Sequence, residues 1–167
     1  NEQPESFSIA IIGTVPLGQA LRRDGLQPGD QIWVSGELGD GAWAVRQRIA
    51  HQRLNWPQPR LALGRALRGL AHAAIDVSDG LSSELGHLAA ASARRLDQPL
   101  VIQVELLSLA RCLGPGLAGQ LASGELSTEQ ACRLAAASGD EYELCFAAPA
   151  AAHDQVMQVG RDLGLPL

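Results

Sequence analysis

The apolar positions of the chain fall into short runs that predict β-strands. These runs have the length, the β-branched or aromatic content and the flanking turn residues of strands, and they cover residues 7–12, 31–36, 73–75, 99–104 and 142–146. Glycine or proline stands next to several of them. The run at 99–104 predicts a buried strand, and Cys145 is predicted to be a buried residue of the last one.

Between these runs, apolar residues recur at a spacing of three or four, which predicts amphipathic helices. We expect helices after Gly39-Asp40-Gly41, around Leu63 to Leu70, from Leu81, over 108–113, from Ser127 and after Pro149. Ser127 and Gln130 have the spacing of a capping box. Residues 55–60 contain two prolines and are predicted to be an extended linker. Because strands and helices interleave without long gaps, the chain is predicted to be a layered α/β (α+β) domain.

The segment at 74–81 is the most informative one for function. An apolar run leads into Asp76, Ser78 and Asp79, and a helical pattern begins just after Gly80. Carboxylates at the carboxyl end of a strand suit Mg²⁺, and the amino end of a helix suits an anion such as phosphate. The same residues are also common helix caps, and Asp-Gly is a common turn. The segment alone does not decide between a ligand site and a cap.

A second acidic cluster lies at the edge of the last predicted strand. Asp140, Glu141 and Glu143 could join Asp76 and Asp79 in an acidic pocket, which would need a metal or a cationic ligand. Strand residues two apart share a face, so the favoured interpretation for Glu141 and Glu143 is one solvated face. Asp140 stands in the turn itself and is the freer candidate for a ligand contact.

Composition narrows the function classes. The chain has 167 residues, of which 46% are hydrophobic and 19% charged, and its formal net charge is -5. These values predict a globular domain without a basic surface for nucleic acid. Three scattered cysteines predict reduced thiols in the cytoplasm, and the N-terminus lacks a signal pattern. No apolar run approaches a membrane span. The sequence also lacks a nucleophile elbow, a Walker loop and a dinucleotide fingerprint, so no catalytic nucleophile or base is assigned.

A set of short segments carries a resemblance through its order and spacing. The segments are Gly13-Thr14-Val15-Pro16, Ala20-Leu21-Arg22-Arg23-Asp24-Gly25, Pro28-Gly29-Asp30, Val34-Ser35-Gly36, Leu38-Gly39-Asp40, Pro57-Gln58-Pro59-Arg60, Ile75-Asp76-Val77-Ser78-Asp79-Gly80-Leu81 and Gly139-Asp140-Glu141-Tyr142-Glu143-Leu144-Cys145-Phe146. Together they resemble the C-terminal domain of the thiamine-monophosphate kinase family. The fold also resembles that of aminoimidazole ribonucleotide synthetase and selenophosphate synthetase, but the last two segments favour the thiamine family.

The resemblance implies a mixed sheet flanked by helices and a particular domain organisation. Residues 1–16 would be the last strand and crossover from an N-terminal domain that the chain lacks. Residues 17–167 would form the C-terminal α/β domain, truncated at its end. The missing domain would carry most of the metal-binding aspartates and the interface of a homodimer. The fragment alone would therefore be inactive, and it should expose an apolar patch around residues 7–12.

The resemblance also assigns roles to individual residues. Asp76 and Asp79 would bind Mg²⁺, and Ser78 would contact ATP. Asp140 falls where the family has a Glu that contacts thiamine phosphate, and here Ser138-Gly139-Asp140-Glu141 replaces Gly-Gly-Glu-Asp. The implied reaction is ATP- and Mg-dependent phosphorylation of thiamine monophosphate to thiamine diphosphate. The alternatives are another ATP-using enzyme of the superfamily and a non-catalytic fragment that binds metal or phosphate.

Overall fold

A three-stranded antiparallel sheet forms the centre of the computed structural model, which describes residues 8–167. The strands are β1 (Asp30–Val34), β2 (Ala73–Asp76) and β3 (Leu144–Pro149), and β3 lies between the other two. Val34 and Ile75 both pair with Cys145 across the sheet. This register places the end of β2, at Asp76, beside the start of β3.

Eight α-helices surround the sheet in the described part of the chain. They are α1 (Asp40–Gln47), α2 (Gln52–Asn55), α3 (Leu61–Ala66), α4 (Leu81–Leu96), α5 (Leu106–Ala110), α6 (Pro115–Ala122), α7 (Thr128–Ala136) and α8 (His153–Leu163). A 3₁₀ turn over Ala150–Ala152 precedes α8. None of these helices, within residues 8–167, has both the length and the hydropathy of a transmembrane span.

The central strand supplies side chains to two separate cores. Cys145 and Ala147 pack in the larger core with leucines of α4, whereas Phe146 and Ala148 pack in a smaller core with Leu63 and Val156. All four β3 residues are fully buried, because successive strand residues point to opposite faces and helices cover both. The predicted α/β class and the burial of Cys145 are confirmed.

The sheet is almost entirely antiparallel, whereas the resemblance implied a mixed sheet of parallel and antiparallel strands. The three named strands are all antiparallel. In the described residues, parallel pairing is limited to isolated bridges between Arg22 and Ala73 and between Leu38 and Leu113. The Arg22 bridge continues the sheet beyond β2 by a single residue, so the parallel component is small.

Two predicted strands are absent. Residues 99–104 form no strand, and Val101 is 92% exposed, so the prediction of a buried strand there is wrong. Residue 7 lies outside the described residues, and residues 8–12 form no strand, with Ile9, Ile11 and Ile12 exposed. A strand needs a neighbour for its backbone hydrogen bonds, and no described strand pairs with either run. The expected exposure of apolar side chains in 8–12 is confirmed.

The capping box at the start of α7 is confirmed. The Ser127 hydroxyl accepts a hydrogen bond from the Gln130 amide, and the Gln130 side chain accepts one from the Ser127 amide. We expect Ser127→Ala to lower the free energy of unfolding by about 1 kcal/mol, because one amide at the helix start loses its partner. Urea denaturation measures this loss, and Ser127→Thr is the control that keeps the hydroxyl. Equal midpoints for Ala and Thr would contradict the prediction.

The thiols differ in accessibility. Cys145 and Cys132 are buried and Cys112 is half-buried, and all three are free. Burial, and secondarily the charge of Glu84, raises the pKa of the Cys145 thiol to about 12. At pH 8 we therefore expect a thiol reagent to label Cys112 first and Cys145 only after unfolding. Mass spectrometry of partly labelled native protein tests this, and equal labelling of the three thiols would contradict it.

Candidate functional site

The motif at 76–80 forms the turn between β2 and α4. Asp76 is the last residue of β2, Val77 is buried, and Asp79 is exposed just before the helix. Gly80 is the N-cap of α4 and has a φ of 105°, a conformation that side chains disfavour. A Cβ on Gly80 would also lie 3.0 Å from the Ala137 carbonyl carbon. Glycine is therefore required for the tight turn that leaves both carboxylates at the surface.

Neither Ser78 nor Asp79 caps α4. The helix start carries no side-chain capping bond. Instead, the buried Glu84 reaches back from the first turn, and its carboxylate accepts a hydrogen bond from the Asp79 amide at 3.2 Å. The Ser78 hydroxyl donates a hydrogen bond to the same oxygen, at a long donor–acceptor distance of 3.5 Å. The capping explanation of the motif is thereby excluded, and Glu84 holds the turn.

The predicted metal and nucleotide residues line one open cleft of about 440 Å³. Asp76, Ser78 and Asp79 lie along it with Glu84, which sequence reasoning missed. Arg23 and His87 are exposed and also line it. Glu84 and His87 lie three apart on α4 and so share a helix face, a spacing that could have indicated them.

The loop at 138–142 is hydrogen-bonded to the motif. The Asp140 amide donates to the Ser78 carbonyl and the Tyr142 amide to the Val77 carbonyl, each at 2.8 Å. Asp140 and Tyr142 have φ values of 57° and 50°, in the left-handed region. Such strain in residues with a Cβ is concentrated at functional sites. The backbone contacts bring Asp140 to the turn of Asp76 and Asp79.

Tyr142 reports the shared electrostatics of these carboxylates. Its hydroxyl donates to the Asp140 carboxylate at 3.1 Å. That hydrogen bond and the charge of Asp140 raise the pKa of the Tyr142 phenol, and the charges of Asp76 and Asp79 add to the effect. The negative charges of three exposed carboxylates therefore act on one phenol. This edge of the protein is electronegative and favours cations.

Glu141 and Glu143 do not lie on a solvated face, so that prediction is wrong. Their exposed fractions are 2% and 1%. Glu143 accepts hydrogen bonds from the Ser35 hydroxyl at 2.6 Å, from Arg53 at 2.9 Å and from two nitrogens of Arg60 at 2.6 Å. Both acids lie outside β3, and their carboxylates point inward, where Arg53 pairs with both of them and Arg60 pairs with Glu143.

Glu141 is anchored at the amino end of α1. Its Oε1 atom accepts hydrogen bonds from the Gly39 amide at 2.7 Å, the Gly41 amide at 3.3 Å and the Ser138 hydroxyl. Burial raises the pKa of Glu141, although these hydrogen bonds and the charge of Arg53 oppose the rise. The loop at 138–142, the site loop, is thus attached to α1 on its buried side and to the motif at 76–80 on its exposed side.

The donors at the cleft fit a hard cation. Residues 8–167 contain no group of three or more metal-binding side chains close enough to hold an ion. Asp76 and Asp79 can offer two carboxylates, which suits Mg²⁺, since this ion keeps waters and binds phosphate oxygens at its other positions. The same pair fits poorly with a structural zinc site, which needs four protein ligands and favours sulfur and nitrogen.

This chain is similar to several proteins with established names. The thiamine-monophosphate kinase of Escherichia coli K12 is 40% identical over 159 residues, which cover 87% of this chain and 45% of that enzyme. The chain is homologous to thiamine-monophosphate kinases. The crystal structure of the Stenotrophomonas maltophilia enzyme is also 40% identical, with a TM-score of 0.77, over 91% of this chain and 49% of that one. No family model matches the chain.

The chain spans about half the length of these thiamine-monophosphate kinases, which fits the predicted C-terminal domain. The solved complex of AaThiL with AMPPCP and TMP is 24% identical and has a TM-score of 0.56, so it shows the shared fold alone. The predicted resemblance to the thiamine-monophosphate kinase family is confirmed.

Proposed function

We propose that the chain is the C-terminal part of an enzyme that phosphorylates thiamine monophosphate to thiamine diphosphate with ATP and Mg²⁺. One observation carries the proposal: in a chain 40% identical to a thiamine-monophosphate kinase, Asp76, Ser78 and Asp79 line an open cleft, and a backbone hydrogen bond joins Asp140 to Ser78. The homology supports this reaction, and the cleft offers residue types that phosphate transfer uses.

Asp76 and Asp79 are the residues that we assign to Mg²⁺. The bound ion would neutralise charge on the transferring phosphate. Ser78, between the two aspartates, has a half-buried hydroxyl that only the long contact to Glu84 engages in the described residues, so it can donate to an ATP phosphate. Arg23 adds positive charge across the cleft, which favours a polyphosphate beside the carboxylates.

Asp140 is the residue that we assign to the thiamine phosphate substrate. It is exposed, and the Tyr142 hydroxyl binds one of its oxygens, which restricts its orientation and leaves the other oxygen free. Asp is one methylene shorter than the Glu that the family resemblance implies. The backbone hydrogen bond to Ser78 keeps Asp140 next to the turn that lines the cleft, so the shorter side chain can still serve as the contact.

The chemistry accounts for the absence of an assigned nucleophile and base. The acceptor is a phosphate that is already anionic, so no strong base has to remove a proton before the transfer. The rate then depends on holding two phosphates in line and on neutralising their charge. A cleft with paired carboxylates for the metal and an arginine for phosphate meets this requirement.

The chain spans about half the length of the thiamine-monophosphate kinases it matches, so the proposed enzyme is larger than the chain. We propose that residues 17–167 are the C-terminal domain, that 1–16 lead from an N-terminal domain, and that the enzyme is a cytoplasmic homodimer; residues 1–7 lie outside the described residues. The free thiols support the cytoplasm, and the exposed Ile9, Ile11 and Ile12 support an interface. Sedimentation of the whole enzyme tests the dimer, and a monomer at micromolar concentration would contradict it.

The activity itself has a direct test. We expect the whole enzyme to form thiamine diphosphate from ATP and thiamine monophosphate in the presence of Mg²⁺, and the 167-residue chain alone to form none above background. Chromatography of the products measures both. Turnover by the chain alone would contradict the division of the site between domains. ATP consumption by the whole enzyme without thiamine diphosphate would favour another ATP-using reaction.

A further inference from the structure

Glu141 stands between the two strained residues of the site loop. Asp140 and Tyr142 are exposed, whereas the Glu141 side chain is fully buried. Both neighbours adopt left-handed backbone conformations, which residues with a Cβ keep only when their surroundings fix them. The proposed reaction assigns Glu141 no contact with either substrate, so a buried carboxylate at this position must have another role.

The Glu141 carboxylate binds the amino end of α1 across a large separation in sequence. Its Oε1 atom accepts from the Gly39 and Gly41 amides, and the Ser138 hydroxyl that donates to it also accepts from the Ala42 amide. Its Oε2 atom is buried and accepts no hydrogen bond from residues 8–167, although Arg53 Nε lies 3.3 Å away as an ion pair. The side chain therefore holds the loop to a helix end by several bonds.

We propose that Glu141 is a positioning residue: its buried carboxylate, bound to the amino end of α1, sets the turn that presents Asp140 to the substrate. This inference rests on the proposed function for the role of Asp140. On the cleft side, the Asp140 and Tyr142 amides bind the Ser78 and Val77 carbonyls. On the buried side, Glu141 supplies the opposing anchor, so the two left-handed residues are fixed from both directions.

The first arm of the test is kinetic and uses the whole enzyme. We expect Glu141→Ala to raise the KM for thiamine monophosphate tenfold or more, and Glu141→Gln, which keeps an oxygen for the Gly39 amide, to raise it less. Because Glu141 acts through Asp140, adding Glu141→Ala to Asp140→Asn should raise KM little further. Val156→Ala, in the smaller core, is the control for lost stability and should leave KM unchanged.

The second arm needs no activity. Tyr142 is the only tyrosine of the chain, and its pKa is raised first by Asp140. Absorbance of the phenolate, measured without Mg²⁺ and corrected with the matching Tyr142→Phe protein, follows Tyr142 alone in the whole enzyme. We expect Glu141→Ala to lower the titration midpoint to that of Asp140→Asn, and Val156→Ala to leave it in place.

The outcomes separate the inference from the proposed function. If Glu141→Ala lowers the melting temperature but leaves both the KM and the Tyr142 midpoint of wild type, Glu141 is only structural and the inference is wrong. If Glu141→Ala does not fold, Glu141→Asp decides, because its shorter side chain should lose the Gly39 contact and shift both readouts. If the wild-type enzyme does not phosphorylate thiamine monophosphate, the proposed function fails and the Tyr142 titration alone decides the position of the loop.

Discussion

Replacing Asp76 by Asn in the whole enzyme is expected to lower kcat by about a hundredfold or more, the loss typical of removing one electrostatic stabiliser. Asp76 is exposed at the end of β2 and lines the cleft with Asp79. Asn has nearly the same shape, so the backbone and the cleft should persist, and the melting temperature should stay within the range of ordinary surface substitutions. The loss would come from the missing charge toward Mg²⁺.

The measurement pairs a thermal melt with steady-state kinetics over a range of Mg²⁺ concentrations. Asp154→Asn, an exposed aspartate in the first turn of α8, is the matched control and should match wild type in both. If Asp76 binds the ion, the deficit should be largest at limiting Mg²⁺ and shrink as Mg²⁺ rises. Wild-type turnover by Asp76→Asn at limiting Mg²⁺ would remove this residue from the metal site.

The turn at 76–80 could be predicted from sequence because its determinants are local. An apolar run, two carboxylates, a glycine and a helical pattern follow one another within a few residues, and the structure has β2, the turn and α4 in that order. Gly80 lies in the expected turn and has the positive φ that the turn requires. The pattern did not decide whether Ser78 or Asp79 caps α4. The residue that binds the turn instead, Glu84, lies one helical turn further along the chain.

The burial of Glu141 and Glu143 could not be predicted because it depends on distant residues. Glu143 is paired with Arg53 and Arg60, which lie 90 and 83 positions earlier, in a short helix and a proline-containing segment. Carboxylates are seldom buried without such partners, so a sequence that does not show the partners favours a solvated face. The fold, rather than the local pattern, decides which way these side chains point.

The strand predicted at 99–104 failed for a related reason. Its apolar run has the composition of a buried strand, yet pairing also requires a free edge of a sheet at the right place. In the described residues, β1 and β2 are the outer strands, and neither pairs with this run. Composition therefore indicates where a strand could form, and topology decides whether one does.

The largest effect on stability is expected at Glu143. Among the described residues, replacing it by Gln removes the only carboxylate paired with Arg60 and one of two paired with Arg53, while both arginine side chains remain half-buried. Removing one partner of a buried ion pair costs about 3–5 kcal/mol, since the remaining charge is left uncompensated. The arginine side chains keep 25% and 17% exposure, so we expect a loss near the lower bound, about 3 kcal/mol.

Urea denaturation of the chain measures this loss, and the surface pair Glu129–Arg133 provides the control. Both side chains of that pair are exposed, so Glu129→Gln should cost no more than about 0.5 kcal/mol. Adding Arg60→Gln to Glu143→Gln should restore part of the stability, because it removes the charge that lost its partner. If Glu143→Gln cost no more than Glu129→Gln, the buried network would contribute nothing beyond a surface pair. The inward orientation of Glu143 would then have to result from packing rather than charge.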